Sequence, residues 1–274
     1  MPYSPLELAD AFIRAGELED ALDALNQHLA DPNAEKRDEV LRLRAQVLAR
    51  FPDQPERLRA ALGDYAALST PTAEDEDRRA ALYAQLGDAR AAADALGRAR
   101  ALKPDDDRLT ERQIALLVEH GWLDEAAGLV AALPETWRWL VWRGDIAIDR
   151  KQDTEALAHY TKALTHFEAH VDLSSKLAAN MRAQLLIKRA RAYRHLKRCD
   201  EAEADYLAAE AIIPNDPTLM FNRGLLAYDC RGLHDALPLC RAALDLAPPG
   251  LHAWMHQTLH DDSNYRELAD ALLV

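Results

Sequence analysis

Glycine and proline are scarce in this chain, at 10 and 13 of 274 residues. An all-β fold needs far more turns than these can supply, so that class is excluded. The few glycines are scattered, and no phosphate-cradling GxxxxGK[ST], GxGxxG or GxSxG occurs. No run of 18 apolar residues is present, so the sequence offers no membrane-spanning helix. Cysteine is limited to Cys199, Cys230 and Cys240, with no CxxC pair. An odd count argues against a disulfide framework, and reduced, half-buried helical thiols are expected. Positive charge is also short: 33 Lys and Arg against 46 Asp and Glu leave a net charge of −13. Such a surface repels phosphate backbones and anionic lipid, so neither nucleic-acid binding nor membrane insertion is expected. Met1 to Asp10 lacks the basic stretch that opens a secretory signal, which gives a cytoplasmic expectation.

Alanine and leucine are what the chain has in quantity, 52 and 44 residues. Both are strong helix formers, so the sequence reads as all-α. It also repeats itself. An alanine that follows a short turn and acidic residues recurs at Ala92, Ala126, Ala156, Ala202 and Ala236, spaced 34, 30, 46 and 34 residues apart. A proline follows twelve residues after three of them, at Pro104, Pro214 and Pro248, and comes early at Pro134. Ala21 begins the same pattern, with Pro32 eleven residues on. Each unit reads as two amphipathic helices, A and B, joined by a tight turn. Acidic residues open helix B at the positive end of its dipole, and proline stops it. The alanine is small because the two helices cross there. One such hairpin cannot bury its apolar face alone, so neighbours must stack.

The pattern resembles the tetratricopeptide repeat family. The resemblance rests on Ala190, Tyr193, Ala202, Tyr206, Ala209 and Pro214 in the sixth unit. It continues through Gly224, Ala227, Ala236, Cys240, Ala243 and Pro248 in the seventh. Ala80, Tyr83, Ala92, Leu96, Ala99 and Pro104 carry it in the third, and Gly144, Ala156, Tyr160 and Ala163 in the fifth. It implies a right-handed α-solenoid of about seven hairpins with a C-terminal cap. The second unit, with Pro52 and Pro55 at its turn, has an uncertain register. The 46-residue step predicts either longer helices around His166 to Leu186 or an inserted turn at Val171–Ser174. A soft boundary is expected there, dividing 1–170 from 171–274 within one continuous solenoid. The tail from Leu251 predicts two capping helices split near Asp261–Asn264.

Chemistry-bearing clusters are few. His252, His256 and His260 share a helical stripe, and His166 and His170 stand one turn apart. The stripe lies beside the apolar face of its helix, so no resident metal is expected, and no cofactor. Trp137, Trp139 and Trp142 crowd one helix A and are expected to pack mainly in the core. From Arg182 to Arg198 there are seven basic residues and no acidic one. The expected function is non-catalytic: a scaffold or adaptor for a peptide or protein partner. The alternatives are a regulatory or sensor module that controls an enzyme in trans, or a self-assembling structural subunit. Oligomeric state is left open.

The resemblance implies a groove lined by helix A positions 2, 5, 9, 12 and 13. In the fifth unit these are Arg138, Val141, Asp145, Ile148 and Asp149. In the sixth they are Gln184, Ile187, Arg191, Arg194 and His195; in the seventh, Thr218, Phe221, Leu225, Tyr228 and Asp229. Leu6 and Asp10 stand where the family's two-carboxylate clamp wants Lys and Asn, so that specificity is not expected. The expected partner site is a basic patch, Arg191, Arg194 and His195, beside the apolar Ile187, Phe221, Leu225 and Tyr228. Its ligand would be acidic with apolar anchors.

Overall fold

The structure, a computed structural model, describes residues 4–31 and 35–272. Pro32 lies outside the described residues. The chain forms two compact units, Met1–Trp122 and Leu123–Val274. This division comes earlier than the expected boundary at 170/171, which falls inside the second unit, where the helices on either side pack together.

Among the described residues, the first unit holds seven helices: α1 (Pro5–Ala15), α2 (Leu18–Leu29), α3 (Arg37–Leu48), α4 (Pro55–Ala66), α5 (Ala73–Gln85), α6 (Ala89–Leu102) and α7 (Asp107–Glu119). The second holds nine: α8 (Leu123–Ala131), α9 (Trp137–Asp149), α10 (Asp153–His170), α11 (Lys176–His195), α12 (Cys199–Glu210), α13 (Pro217–Arg231), α14 (Leu233–Leu246), α15 (Pro249–Asp261) and α16 (Arg266–Leu272). A single 3₁₀ turn at Ser263–Tyr265 joins the last two. The described residues contain no strand. The all-α class is thus observed, and each unit is built as a stack of helical hairpins.

Local chemistry sets the helix boundaries. Ser4 and Thr72 close capping boxes with Glu7 and Asp75. Asp88, Asp106, Ser175 and Asp216 accept amide protons at the starts of α6, α7, α11 and α13. Such caps are worth about 1 kcal/mol each. The recurring alanines do what their spacing implies. Ala21, Ala126, Ala156, Ala202 and Ala236 are 0% exposed and Ala92 is 1% exposed, because a neighbouring helix lies directly on each. Glycine takes the partner position where the facing residue is large. A Cβ on Gly144 would fall 2.4 Å from the Tyr160 ring, and one on Gly224 would fall 2.3 Å from Cys240 Sγ.

Both readings of the 46-residue step are realised. α10 and α11 run to 18 and 20 residues, and a short break at 171–175 separates them. The second repeat's hairpin is α3–α4, with Pro55 in the first turn of α4. Pro238 lies at the sixth position of α14, and the helix continues to Leu246. The cap helices form as expected, and Tyr265, Leu268 and Ala269 bury themselves against Phe221, Leu225 and Met255. Trp139 is buried, and Trp137 meets Phe167 edge-on at 5.1 Å.

Candidate functional site

A groove of about 890 Å³ opens within the second unit. The ends of α9 and α11 form one wall, with Ile148, Asp149, Lys151, Asp153, Arg194, His195 and Lys197. Leu225, Tyr228 and Asp229 of α13 form the floor. The cap closes the far side with Thr258, Asp262, Asn264 and Tyr265. The groove exists because stacked A helices end at the same level, and the cap folds back across them.

Four of the seven residues expected at a partner site reach this groove: Arg194, His195, Leu225 and Tyr228. Their accessibility differs from the expectation. Arg194 is 6% exposed, and it donates to Tyr265 Oη and to Asp229 Oδ2 at 3.2 Å. It is a structural clasp between α11, α13 and the cap. His195 Nδ1 lies 2.8 Å from Asp153 Oδ1. Desolvation lowers the affinity of that imidazole for a proton, and the Asp153 carboxylate opposes the shift. Tyr228 stands half-buried, with its ring against Tyr265 and its hydroxyl 3.2 Å from Glu267. Burial pushes the Tyr265 hydroxyl up to about 12, with Arg194 opposing.

The apolar half of the expected patch needs correction. Phe221 is 0% exposed beneath Trp254, and Leu225 and Ile187 are 2% and 8% exposed. They are core, because the cap and the packing of α11 cover the face that the repeat pattern alone leaves open. Arg191 is half-buried below the groove near Asp149 and Tyr160, with its Nε lacking a hydrogen-bond partner.

The charge run is also less basic than it reads. Arg182 pairs with Glu168, Lys188 with Asp145, Arg189 with Asp205, Arg194 with Asp229 and Arg198 with Glu201. Each neighbouring helix supplies a matching carboxylate, which the linear sequence hides. The run is not confined to one helix either, since Lys197 and Arg198 fall in the turn after α11.

Sequence reasoning missed Lys151, Asp153, Lys197 and the cap residues. The lysines had a legible signal. Gly16 and Gly87 hold the left-handed conformation in the A–B turns of the first and third hairpins, and Gly121 holds it after α7. In the fifth and sixth, Lys151 and Lys197 occupy that place at φ 60° and 58°. A non-glycine residue there costs roughly 1–2 kcal/mol. Lys151 makes no ion pair among the described residues, and Lys197 touches Asp229 at 3.6 Å with 67% of its side chain exposed. Three of the four carboxylates lining the groove are engaged: Asp153 by His195, Asp229 by Arg194, and Asp262 by the Asn264 amide; the fourth, Asp149, has Arg191 and Lys188 nearby.

The cysteine expectation is overturned. Cys199, the first residue of α12, is disulfide-bonded to Cys230 near the end of α13, with a Cα separation of 6.3 Å. Antiparallel packing of α12 and α13 brings positions 31 residues apart together. Cys240 alone is free; it is buried, and desolvation pushes its thiol up to about 12. Among the described residues, no group of three or more His, Cys, Asp or Glu converges as a metal site. No described helix is long and apolar enough to cross a membrane.

With the geometry defined, the fold has clear parallels. The chain is similar to the C-terminal part of a TPR repeat-containing protein from Cytophaga hutchinsonii, with TM-score 0.58 and 12% identity over 87% of this chain and 92% of that one. It is also similar to a tetratricopeptide repeat protein from Parabacteroides merdae, with TM-score 0.52 and 15% identity over 92% and 95% of the two chains. A third parallel is Cut9–Hcn1, with TM-score 0.54 and 16% identity over 98% of this chain and 49% of that one. No protein-family model matches the sequence, and no curated protein matches it. The chain therefore has the fold of tetratricopeptide repeat proteins.

Proposed function

We propose that the second unit is a non-catalytic binding module that holds a peptide or protein segment in its groove. The observation that carries this reading is the placement of Lys151 and Lys197. Both accept an unfavourable backbone conformation where the first and third hairpins use glycine, and both line the same groove. Strain of this kind is retained where function needs the side chain. Lys151 makes no ion pair among the described residues, and Lys197 has only a 3.6 Å contact to Asp229, which Arg194 also engages, so both ammonium groups can reach a ligand.

The partner is an extended or helical segment with an acidic residue for the lysines and an apolar or aromatic one for Tyr228. Arg194, Phe221, Leu225 and Ile187 support the groove from beneath. Exposed ion pairs are worth only about 0–1 kcal/mol each, so apolar contact at Tyr228 and Ile148 supplies most of the affinity. The fold neighbours include a protein solved within an APC/C hetero-tetramer, Cut9–Hcn1. That accords with a protein-binding role, although the likeness itself carries the fold only. A cytoplasmic setting is part of the reading and bears on the disulfide, since disulfides are rare there.

The test is affinity capture with the full chain, comparing the parent with Lys151→Glu/Lys197→Glu and with Tyr228→Ala. Both variants are expected to retain helicity and lose the partner. Capture of the same protein by folded variants at parental strength overturns the assignment.

A further inference from the structure

The groove crosses a seam between two hairpins. α11 packs chiefly on α12, and α13 packs chiefly on α14. Arg194, His195 and Lys197 belong to one side, and Leu225, Tyr228 and Asp229 to the other. Beyond apolar packing, Arg223 bridges the seam to Glu203 and Glu210 at 2.8 and 2.7 Å, and Arg194 and Lys197 reach across it to Asp229. Besides the α12–α13 connection, the Cys199–Cys230 bond is its only covalent tie among the described residues. Cys199 comes two residues after Lys197, and Cys230 directly follows Asp229. The tie therefore sits at the mouth of the groove and fixes the two chain segments that form it.

The two sulfurs sit at opposite helix ends. Cys199 is the first residue of a 12-residue helix, between Arg198 and Asp200. Cys230 is next to last in α13, at the negative end of that helix, between Asp229 and Arg231. Flanking charges nearly balance at both, so the helix dipole separates them: it favours a thiolate at Cys199 and opposes one at Cys230. Both cysteines are partly exposed, whereas Cys240 is 0% exposed.

We propose that the Cys199–Cys230 pair is a redox switch for the groove, opened by attack of a dithiol reductant on Cys230 with release of the thiolate at Cys199. This rests on the groove being the binding surface. The reductant's thiolate forms a bond to Cys230 Sγ, and the S–S electron pair leaves on Cys199 Sγ. The second thiol of the reductant then displaces Cys230 and closes the reductant's own disulfide. Two electrons pass to the protein, and the protons come from the reductant's thiols. The better-stabilised leaving group sets the direction of attack. Reduction leaves each hairpin and the buried Arg194–Asp229 pair in place and removes the covalent restraint at the groove mouth, so the segment Lys197–Cys199 gains freedom relative to Asp229–Cys230. Exchange in reverse with an oxidised dithiol (a disulfide) reforms the Cys199–Cys230 bond, passes two electrons and two protons to that dithiol, and restores the groove.

The experiment uses the full chain, oxidised, then treated with dithiothreitol and pulse-alkylated with iodoacetamide at pH 7. Peptide mass spectrometry reads each cysteine, and hydrogen exchange reads the backbone. The expected result is alkylation of Cys199 roughly tenfold faster than Cys230. Cys240 stays unmodified, helicity is unchanged, and exchange rises in 194–199 and 225–231. A Cys199→Ser/Cys230→Ser variant is expected to match the reduced protein in those segments. Equal alkylation rates, unchanged exchange after reduction, absence of the disulfide from the oxidised protein, or global unfolding with Cys240 alkylated would each overturn the switch. None of these readouts needs a partner. Failure of partner capture with these results intact would therefore remove the binding role and leave the redox behaviour standing.

Discussion

Two glycines in the second unit make the same substitution act in opposite directions. Gly144 lies in α9 with the Tyr160 ring against it. An added Cβ would meet Cε1, Cδ1 and Cζ at 2.4, 2.7 and 2.8 Å. Tyr160 is 0% exposed, and its hydroxyl is anchored on Asp145 at 2.7 Å, so the ring cannot swing away. Overpacking of this kind costs about 1–3 kcal/mol, and a rigid ring puts it at the top of that range. Alanine returns about 1 kcal/mol of helix propensity, so Gly144→Ala is expected to destabilise by about 2 kcal/mol. Gly128 lies in α8, exposed, with nothing within 4 Å of an added Cβ. Gly128→Ala has only the propensity gain and is expected to stabilise by up to about 1 kcal/mol. For a unit of this size, each kcal/mol moves the melting temperature by about 2–4 °C. Thermal melts followed by circular dichroism should show Gly144→Ala about 4–8 °C lower and Gly128→Ala up to about 4 °C higher. If Gly144→Ala melts at or above the parent temperature, α9 and α10 do not approach as described, and the hairpin geometry is wrong.

Other expectations follow from single contacts. Asp229→Asn leaves the buried Arg194 guanidinium with Tyr265 as its main partner and should cost about 3 kcal/mol in urea denaturation; a loss under 1 kcal/mol would mean Arg194 is solvated. Asp38 accepts hydrogen bonds from Ser69 and Thr70, which hold its carboxyl down at about 2. The unfolded chain binds that proton near 3.9, so the stabilisation is full above about pH 4 and disappears as pH falls to about 2. Urea midpoints measured from pH 5 to 2 should therefore fall less steeply in Asp38→Asn than in the parent. Lys151→Gly and Lys197→Gly relieve the left-handed backbone and should each stabilise by about 0.5 kcal/mol after the entropy of glycine is subtracted. Both are expected to weaken partner capture, and unchanged capture would remove the functional reason for the strain.

The repeat frame was legible because its alanines carry a steric message. A position that must be small recurs where helices cross, and Ala156, Ala202 and Ala236 are buried as that logic requires. The site was legible only in part. Helix A positions located Arg194 and Tyr228 in the groove, but spacing within one repeat says nothing about what another element lays over it. The cap, through Trp254 and Tyr265, turned Phe221 and Arg194 from surface into core. Charge failed for a related reason. A basic run centred on α11 is neutralised by Asp145, Asp205 and Asp229, which come from three other helices. Counting three cysteines as an odd set hid the pair, although a separation of 31 residues is close to one repeat.

The central claim is that the groove between α9, α11, α13 and the cap holds a partner segment. It is tested most directly by placing a photo-crosslinking amino acid at Thr258 on the groove rim, and separately at Leu207, which is 48% exposed on α12 outside the groove. Illumination in cells should give a discrete adduct from Thr258 that disappears when Lys151 and Lys197 are changed to Glu, and none from Leu207. Equal adducts from both positions, or an adduct from Thr258 that survives the lysine changes, would contradict the account.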